Sequence, residues 1–168
     1  METKTINLYE FKELGKNIQE KVLNEFRERN EHYFLNDFLK ESLNNELENN
    51  NIKVIGDLEL FYSLSYCQGD GLSFIGSFEY KNITITAKQG SLSNFYCHSN
   101  TIDLFFEDEN GEEINDDETF KNLYHSICQE LEEKGYSEIE ENNSDESIKE
   151  DIERNEYKFR SNGEIENN

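Results

Sequence analysis

The chain has 168 residues, with 38 acidic and 16 basic side chains and a net charge of −22. A field of that sign repels phosphate backbones, so direct nucleic-acid binding is not expected, and a basic protein surface is the favoured kind of partner. Apolar residues make up 34% of the chain, but 12 Phe and 9 Tyr allow an aromatic-rich core, and no apolar run reaches membrane-spanning length.

The charge is uneven. Residues 1–106 carry 16 acidic and 10 basic side chains, whereas residues 107–168 carry 22 and 6. A solvated acidic face that keeps the protein soluble is the plain explanation, and a docking surface for cations is the functional one. The three cysteines, Cys67, Cys97 and Cys128, are odd in number and widely spaced, which argues for a reducing compartment. The N-terminus METKTINLYEF lacks a basic stretch followed by an apolar one, so no signal peptide is expected.

In chain order, residues 8–29 read as an amphipathic helix with Phe11, Leu14, Ile18, Val22 and Phe26 on one face. Gly15 weakens that helix without breaking the pattern. Residues 31–48 read as a second helix with Leu35, Phe38, Leu39, Leu43 and Leu47 as its stripe, ended by Asn49, Asn50 and Asn51. From Ile52 the period changes to two. Leu58, Leu60, Tyr62, Leu64 and Tyr66 mark a strand, and a Gly-rich turn (Cys67-Gln68-Gly69-Asp70-Gly71) leads to a second one through Leu72, Phe74 and Phe78. Residues 82–87 form another strand, and 92–106 contain two more with a bend near Ser99 and Asn100.

Residues 117–134 read as a helix capped by Asp116 or Asp117 and left at Gly135, and 145–156 as a helix capped by Ser144. The acidic stretch 136–147 is the candidate mobile loop. Tyr157 and Phe159 read as a short extended segment before a turn at Ser161-Asn162-Gly163, with 166–168 a frayed tail. The expected architecture is α+β in a single domain, 1–168. Two N-terminal helices precede a four- to five-stranded antiparallel meander, and two C-terminal helices follow it.

Two constellations carry chemistry. Gln68 and Asp70 sit at the hairpin, where the flanking glycines supply turn geometry or let a partner approach. Tyr96 and His98 share one face of a strand, and His98 and Asp70 approach each other across the sheet in a way that suits proton transfer or a structural hydrogen bond. Metal binding has only the loose pairs Cys97-His98 and His125-x-x-Cys128, so no metal and no cofactor is expected. The acidic runs lack the spacing of a calcium loop.

The segments Phe11-Lys-Glu-Leu14, Gln68-Gly-Asp-Gly71 with Ser73-Phe74, Tyr96-Cys-His98, and Asn155-Glu-Tyr-Lys-Phe159 with Gly163 together resemble a family of small phage and prophage proteins, some labelled antitoxin-like. The resemblance spans nearly the whole chain, and Cys67 departs from it, standing where the family usually has a serine. The family has no established activity. The resemblance implies genomic context: a phage protein acting in the cytoplasm of a bacterial host, with no direct nucleic acid or membrane as partner.

From charge and context together, the expected function is counter-defence, the inhibition of a bacterial nuclease or CRISPR-type effector through acidic contacts. The expected contact residues are Glu107, Asp108, Glu109, Glu112, Glu113, Asp116 and Asp117. The alternatives are a regulatory or antitoxin-like module binding through Gln68, Asp70, Tyr96 and His98, or a small enzyme or ligand binder using Asp70 and His98.

Overall fold

The computed structural model describes residues 7–90, 97–115 and 117–166. Among them, two helices precede an antiparallel sheet and two follow it, so the protein is α+β. The backbone divides into two compact units, Phe34–Ser137 and Met1–Tyr33 with Glu138–Asn168.

The larger unit begins with α2 (Leu35–Asn49), the second helix of the chain after α1 (Lys16–Arg29). Leu35, Leu39, Leu43 and Leu47 recur every four residues and are all buried, which is the apolar stripe that drives the helix onto its neighbours. Five strands follow: β1 (Lys53–Val54), β2 (Glu59–Ser63), β3 (Gly71–Tyr80), β4 (Ile83–Gln89) and β5 (Ile102–Glu107). β1 and β2 pair with successive stretches of one edge of β3, interrupted where residues 55–58 bulge, and β4 and β5 extend the sheet from the other edge. The result is a meander, because each connection is too short for anything but an antiparallel return.

The alternation of side chains decides which face is dry. Phe78, Ile85 and Phe106 lie in register across three strands and are each at most 1% exposed. The next row, Ser77, Thr86 and Phe105, faces out, and Lys88 covers the exposed Phe105 ring with its ammonium 5.6 Å from the centroid. The dry face receives α3 (Glu118–Asn142), whose Phe120 packs on Tyr80 and Phe106 and whose Tyr124 packs on Phe74.

Tyr124 also completes the sheet. β4 does not continue alongside the first half of β3, so the N–H and C=O of Phe74 have no strand to pair with on that side. The Tyr124 hydroxyl donates to the Phe74 carbonyl at 2.7 Å and accepts from its N–H at 3.2 Å. Burial pushes the Tyr124 phenol far above its ordinary range, so it keeps the proton it donates.

The smaller unit holds α1 and α4 (Asp145–Arg154), with a core of Leu14, Val22, Leu23, Ile148, Ile152 and Phe159. Phe159 bridges Tyr9 on one side and Ile165 on the other, so the early and late segments of the chain meet in a short β-ribbon. The Ser144 hydroxyl accepts the Ser147 N–H and caps α4 as expected; of the expected extended pair, Phe159 lies in the β-bridges, whereas the Tyr157 N–H bonds back to the Ile152 carbonyl of α4.

Several expectations need correction. The first helix does not span 8–29. Phe11–Glu13 form a single 3-10 turn, Gly15 is extended (φ −62°, ψ 147°), and α1 starts only at Lys16. The Gln19 side chain donates to the Phe11 and Leu14 carbonyls, replacing helical bonds that the break removes. The second helix starts four residues later than predicted. Gly135 is not a helix exit, because α3 runs on to Asn142. A methyl group there would lie 2.4 Å from Leu64 Cδ1, so this glycine marks a close crossing. The stretch 136–147 is therefore the end of α3 and the start of α4 rather than a mobile loop. Glu166 is held by its N–H bond to the Lys158 carbonyl and an ion pair with Arg160, and 167–168 lie outside the described residues. Of the strand expected near 92–98, residues 91–96 lie outside the described residues, and Ser99–Thr101 form a 3-10 turn leading into β5.

Tyr124→Phe keeps the ring packing but removes the hydroxyl that pairs the buried Phe74 carbonyl. It is expected to cost about 1–3 kcal/mol in unfolding free energy, measured by urea denaturation.

Candidate functional site

The β2–β3 connection is wider than a tight hairpin. The last pair in register is Ser63 with Gly71, leaving residues 64–70 as a loop. Its organiser is Asp70, which is 7% exposed. One carboxylate oxygen accepts the Ser63 hydroxyl (3.0 Å) and the Cys67 thiol (3.1 Å). The other accepts the Ser65 N–H (2.7 Å), the Cys67 N–H (3.0 Å) and the Tyr136 hydroxyl of α3 (2.6 Å). Burial alone would raise the pKa of this carboxyl. The bonds from Tyr136, from the Cys67 thiol and N–H, and from the Ser65 N–H outweigh it and hold Asp70 well below the usual carboxylate range.

Those bonds fix what surrounds them. The Ser65 and Cys67 N–H groups flank Tyr66, whose backbone is left-handed (φ +57°) and whose side chain is 63% exposed. Its ring lies 4.8 Å from that of Tyr136, tilted by 42°. Gln68 is exposed on the same loop. Sequence reasoning did not single out Tyr66 or Tyr136. The signal available was a tyrosine beside the glycine-rich turn, but its positive φ and its helical neighbour are tertiary facts.

The sequence set His98 opposite Asp70; in the structure its ring lies against Gly71. A methyl group on Gly71 would lie 2.6 Å from His98 Nδ1. Ser99 then reaches α3 through a 3.0 Å contact between its hydroxyl and His125 Nδ1. His125 and Cys128 do not act together: Cys128 is buried beside Tyr124, where burial pushes its thiol up to about 12. Burial also raises the Cys97 thiol, and all three cysteines are free. Among the described residues no group of three or more His, Cys, Asp or Glu side chains is placed to hold a metal ion.

The acidic candidates occupy a different place. After β5 the chain reverses through a turn in which Gly111 N–H reaches the Asp108 carbonyl and Glu113 bridges back to Glu107. Asp108 builds this turn: its carboxylate accepts the Glu112 and Asn110 N–H groups, which lower its pKa. Asp117 caps α3 by accepting the Thr119 and Phe120 N–H groups. That leaves Glu107, Glu109, Glu112 and Glu113 as exposed carboxylates with no ion pair among the described residues. The bridge sets Glu107 and Glu113 directly opposite each other, an arrangement of like charges that disfavours folding. Tyr96 and Asp116 lie outside the described residues.

The two groups of candidates are not brought together. Glu107 is in register with Thr84 and, through it, with Glu79 near the end of β3, while the Asp70 loop sits at the start of β3. About 25 Å of strand separates them. No membrane-spanning helix occurs among the described residues. The sequence matches no family model, and no curated protein or solved structure is similar to it.

Two outcomes follow from the geometry. Gly71→Ala drives a methyl group into a ring that cannot yield without moving, so it is expected to displace His98, shift its NMR resonances and destabilise the fold by about 1–3 kcal/mol. Because the folded-state pKa of Asp70 is depressed, its contribution is complete above the unfolded value of about 4 and is lost as pH falls toward the folded value. Asp70→Asn should therefore lower Tm at neutral pH. The gap between wild type and variant should narrow as pH drops below about 4, as read by thermal melts across pH.

Proposed function

We propose that this protein works by binding a basic protein surface through the carboxylates of the β5–α3 turn. In its widest form the reading is phage counter-defence: stoichiometric inhibition of a bacterial nuclease or CRISPR-type effector by occupying the groove that holds its nucleic acid. Such grooves are lined with Lys and Arg that neutralise phosphates, and closely set carboxylates offer them a substitute. The observation that carries this reading is the opposed pair Glu107 and Glu113, flanked by Glu109 and Glu112, all exposed and none in an ion pair among the described residues. A charge pattern needed only for solubility has no reason to set two glutamates across a β-bridge at a cost in stability.

The Asp70–His98 enzyme reading has less support. The Asp70 carboxylate accepts five hydrogen bonds from its own loop and α3 and is held ionised, which makes it a poor proton acceptor.

The test is inhibition of a panel of purified bacterial defence nucleases and CRISPR effectors at low and high salt. One target should be inhibited at a one-to-one ratio, with binding weakened by salt and competed by its own nucleic acid. Changing Glu107, Glu109, Glu112 and Glu113 together to Gln should weaken that binding about tenfold or more, mainly by slowing association. It should also raise Tm slightly, because the opposed charges are gone. Undiminished inhibition by the variant would sink the acidic-turn reading.

A further inference from the structure

We infer that Asn110 is a site of spontaneous deamidation, at which attack by the Gly111 amide nitrogen turns a neutral side chain into a carboxylate inside the acidic turn. The modification stands on the geometry of the turn itself. Only its effect on partner binding rests on the docking reading above.

Deamidation needs an asparagine whose side chain can be reached by the nitrogen of the next residue. Glycine is the least hindered follower, because it has no Cβ and leaves the backbone free to swing. The sequence holds two such steps, Asn110-Gly111 and Asn162-Gly163. They are alike in chemistry. In both, the glycine has a positive φ (+79° and +90°) and donates its N–H to the carbonyl three residues back. That hydrogen bond must open before the nitrogen can attack, so the rate in the folded protein follows how easily each turn yields.

The structure separates the two steps. Gly163 is buried, and a methyl group there would lie 3.1 Å from Ile18 Cγ2 and Val22 Cγ2 of α1. Asn162 is tied down as well: its carbonyl accepts the Lys21 ammonium, and its side-chain oxygen accepts the Glu164 N–H. Opening this turn means pulling it off the core of the smaller unit. Asn110 and Gly111 are both exposed, and nothing lies within 4 Å of the place a Gly111 Cβ would take. Their turn hangs on Asp108, whose carboxylate accepts the Asn110 and Glu112 N–H groups and the Asn110 side-chain amide. At its base Glu107 and Glu113 face each other across the bridge, and their repulsion favours opening.

In the reaction the Gly111 nitrogen bonds to Asn110 Cγ and the Cγ–Nδ2 bond breaks. The Gly111 amide proton leaves with the side-chain NH2 as ammonia, and a cyclic succinimide remains. Water then opens the ring. Attack at the side-chain carbonyl gives an aspartate. Attack at the main-chain carbonyl gives an isoaspartate, whose backbone runs through Cβ and is longer by a single atom. Either product adds a negative charge between Glu109 and Glu112. The isoaspartate also lengthens the chain inside the turn and disrupts the hydrogen bonds that Asp108 makes there. The charge and the shape of the turn thus change with the age of the protein.

The test incubates the folded protein at mildly alkaline pH, which favours loss of the proton from the attacking nitrogen, and follows its peptides by tandem mass spectrometry. Asn110 should gain the mass of an NH2-to-OH exchange, as aspartate and isoaspartate together, about tenfold or more faster than Asn162. In guanidinium chloride both turns are lost, and the two rates should converge. Asn162 converting as fast as Asn110 in the folded protein would overturn the inference. So would conversion of neither in the folded protein when both convert in denaturant. Conversion at Asn110 in a protein that inhibits none of the defence nucleases would uphold the modification and count only against the docking reading.

Discussion

The larger unit depends on the seating of α3 against the dry face of the sheet. Tyr124 is the centre of that contact: its ring fills the space over Phe74, and its hydroxyl satisfies the two Phe74 backbone groups that β4 leaves exposed. A helix side chain thus does the work of a missing strand. Buried backbone groups must be paired somewhere, and here the pairing fixes the helix against the sheet at a single register.

The acidic turn and the Asp70 loop are both positioned by that seating. From its cap at Asp117 to Tyr136, α3 covers about 28 Å, close to the length of strand between the acidic turn and the Asp70 loop. Its first turn anchors the chain just after the four exposed glutamates. Its later turns carry Tyr136 to Asp70, so the loop displaying Tyr66 is built partly from the helix. Gly135, one residue before Tyr136, lets α3 pass close to Leu64 at the start of that loop. A side chain there would push the helix away from the residues it organises.

The acidic residues of this protein do unlike jobs despite their shared charge. Asp70 is buried and saturated with donors, Asp108 and Asp117 hold a turn and a helix end, and Glu107, Glu109, Glu112 and Glu113 carry their charge into solvent. A carboxylate that accepts several backbone N–H groups gains stability from its ionised form, whereas one opposed by another carboxylate loses it. In the acidic segment after β5, structural anchoring and solvent-exposed charge therefore fall to different members.

The sequence by itself determined the α+β class, the order of helices and strands, the apolar stripe of α2 and the cap of α4, because periodicity and capping are local signals carried by neighbouring residues. It also showed where negative charge accumulates. It did not reveal that Gly15 stands just before a helix while Gly135 lies inside one, at a close crossing with Leu64. Nor did it show that Asp70 points inward. That outcome required Tyr136, 66 positions away, to arrive with a hydroxyl at 2.6 Å, and with it the display of Tyr66 was decided. How far the Asp70 loop lies from the acidic residues was likewise not legible in their spacing along the chain. Only the strand register, set by which apolar residues reach the α3 face, placed them at opposite ends of the sheet.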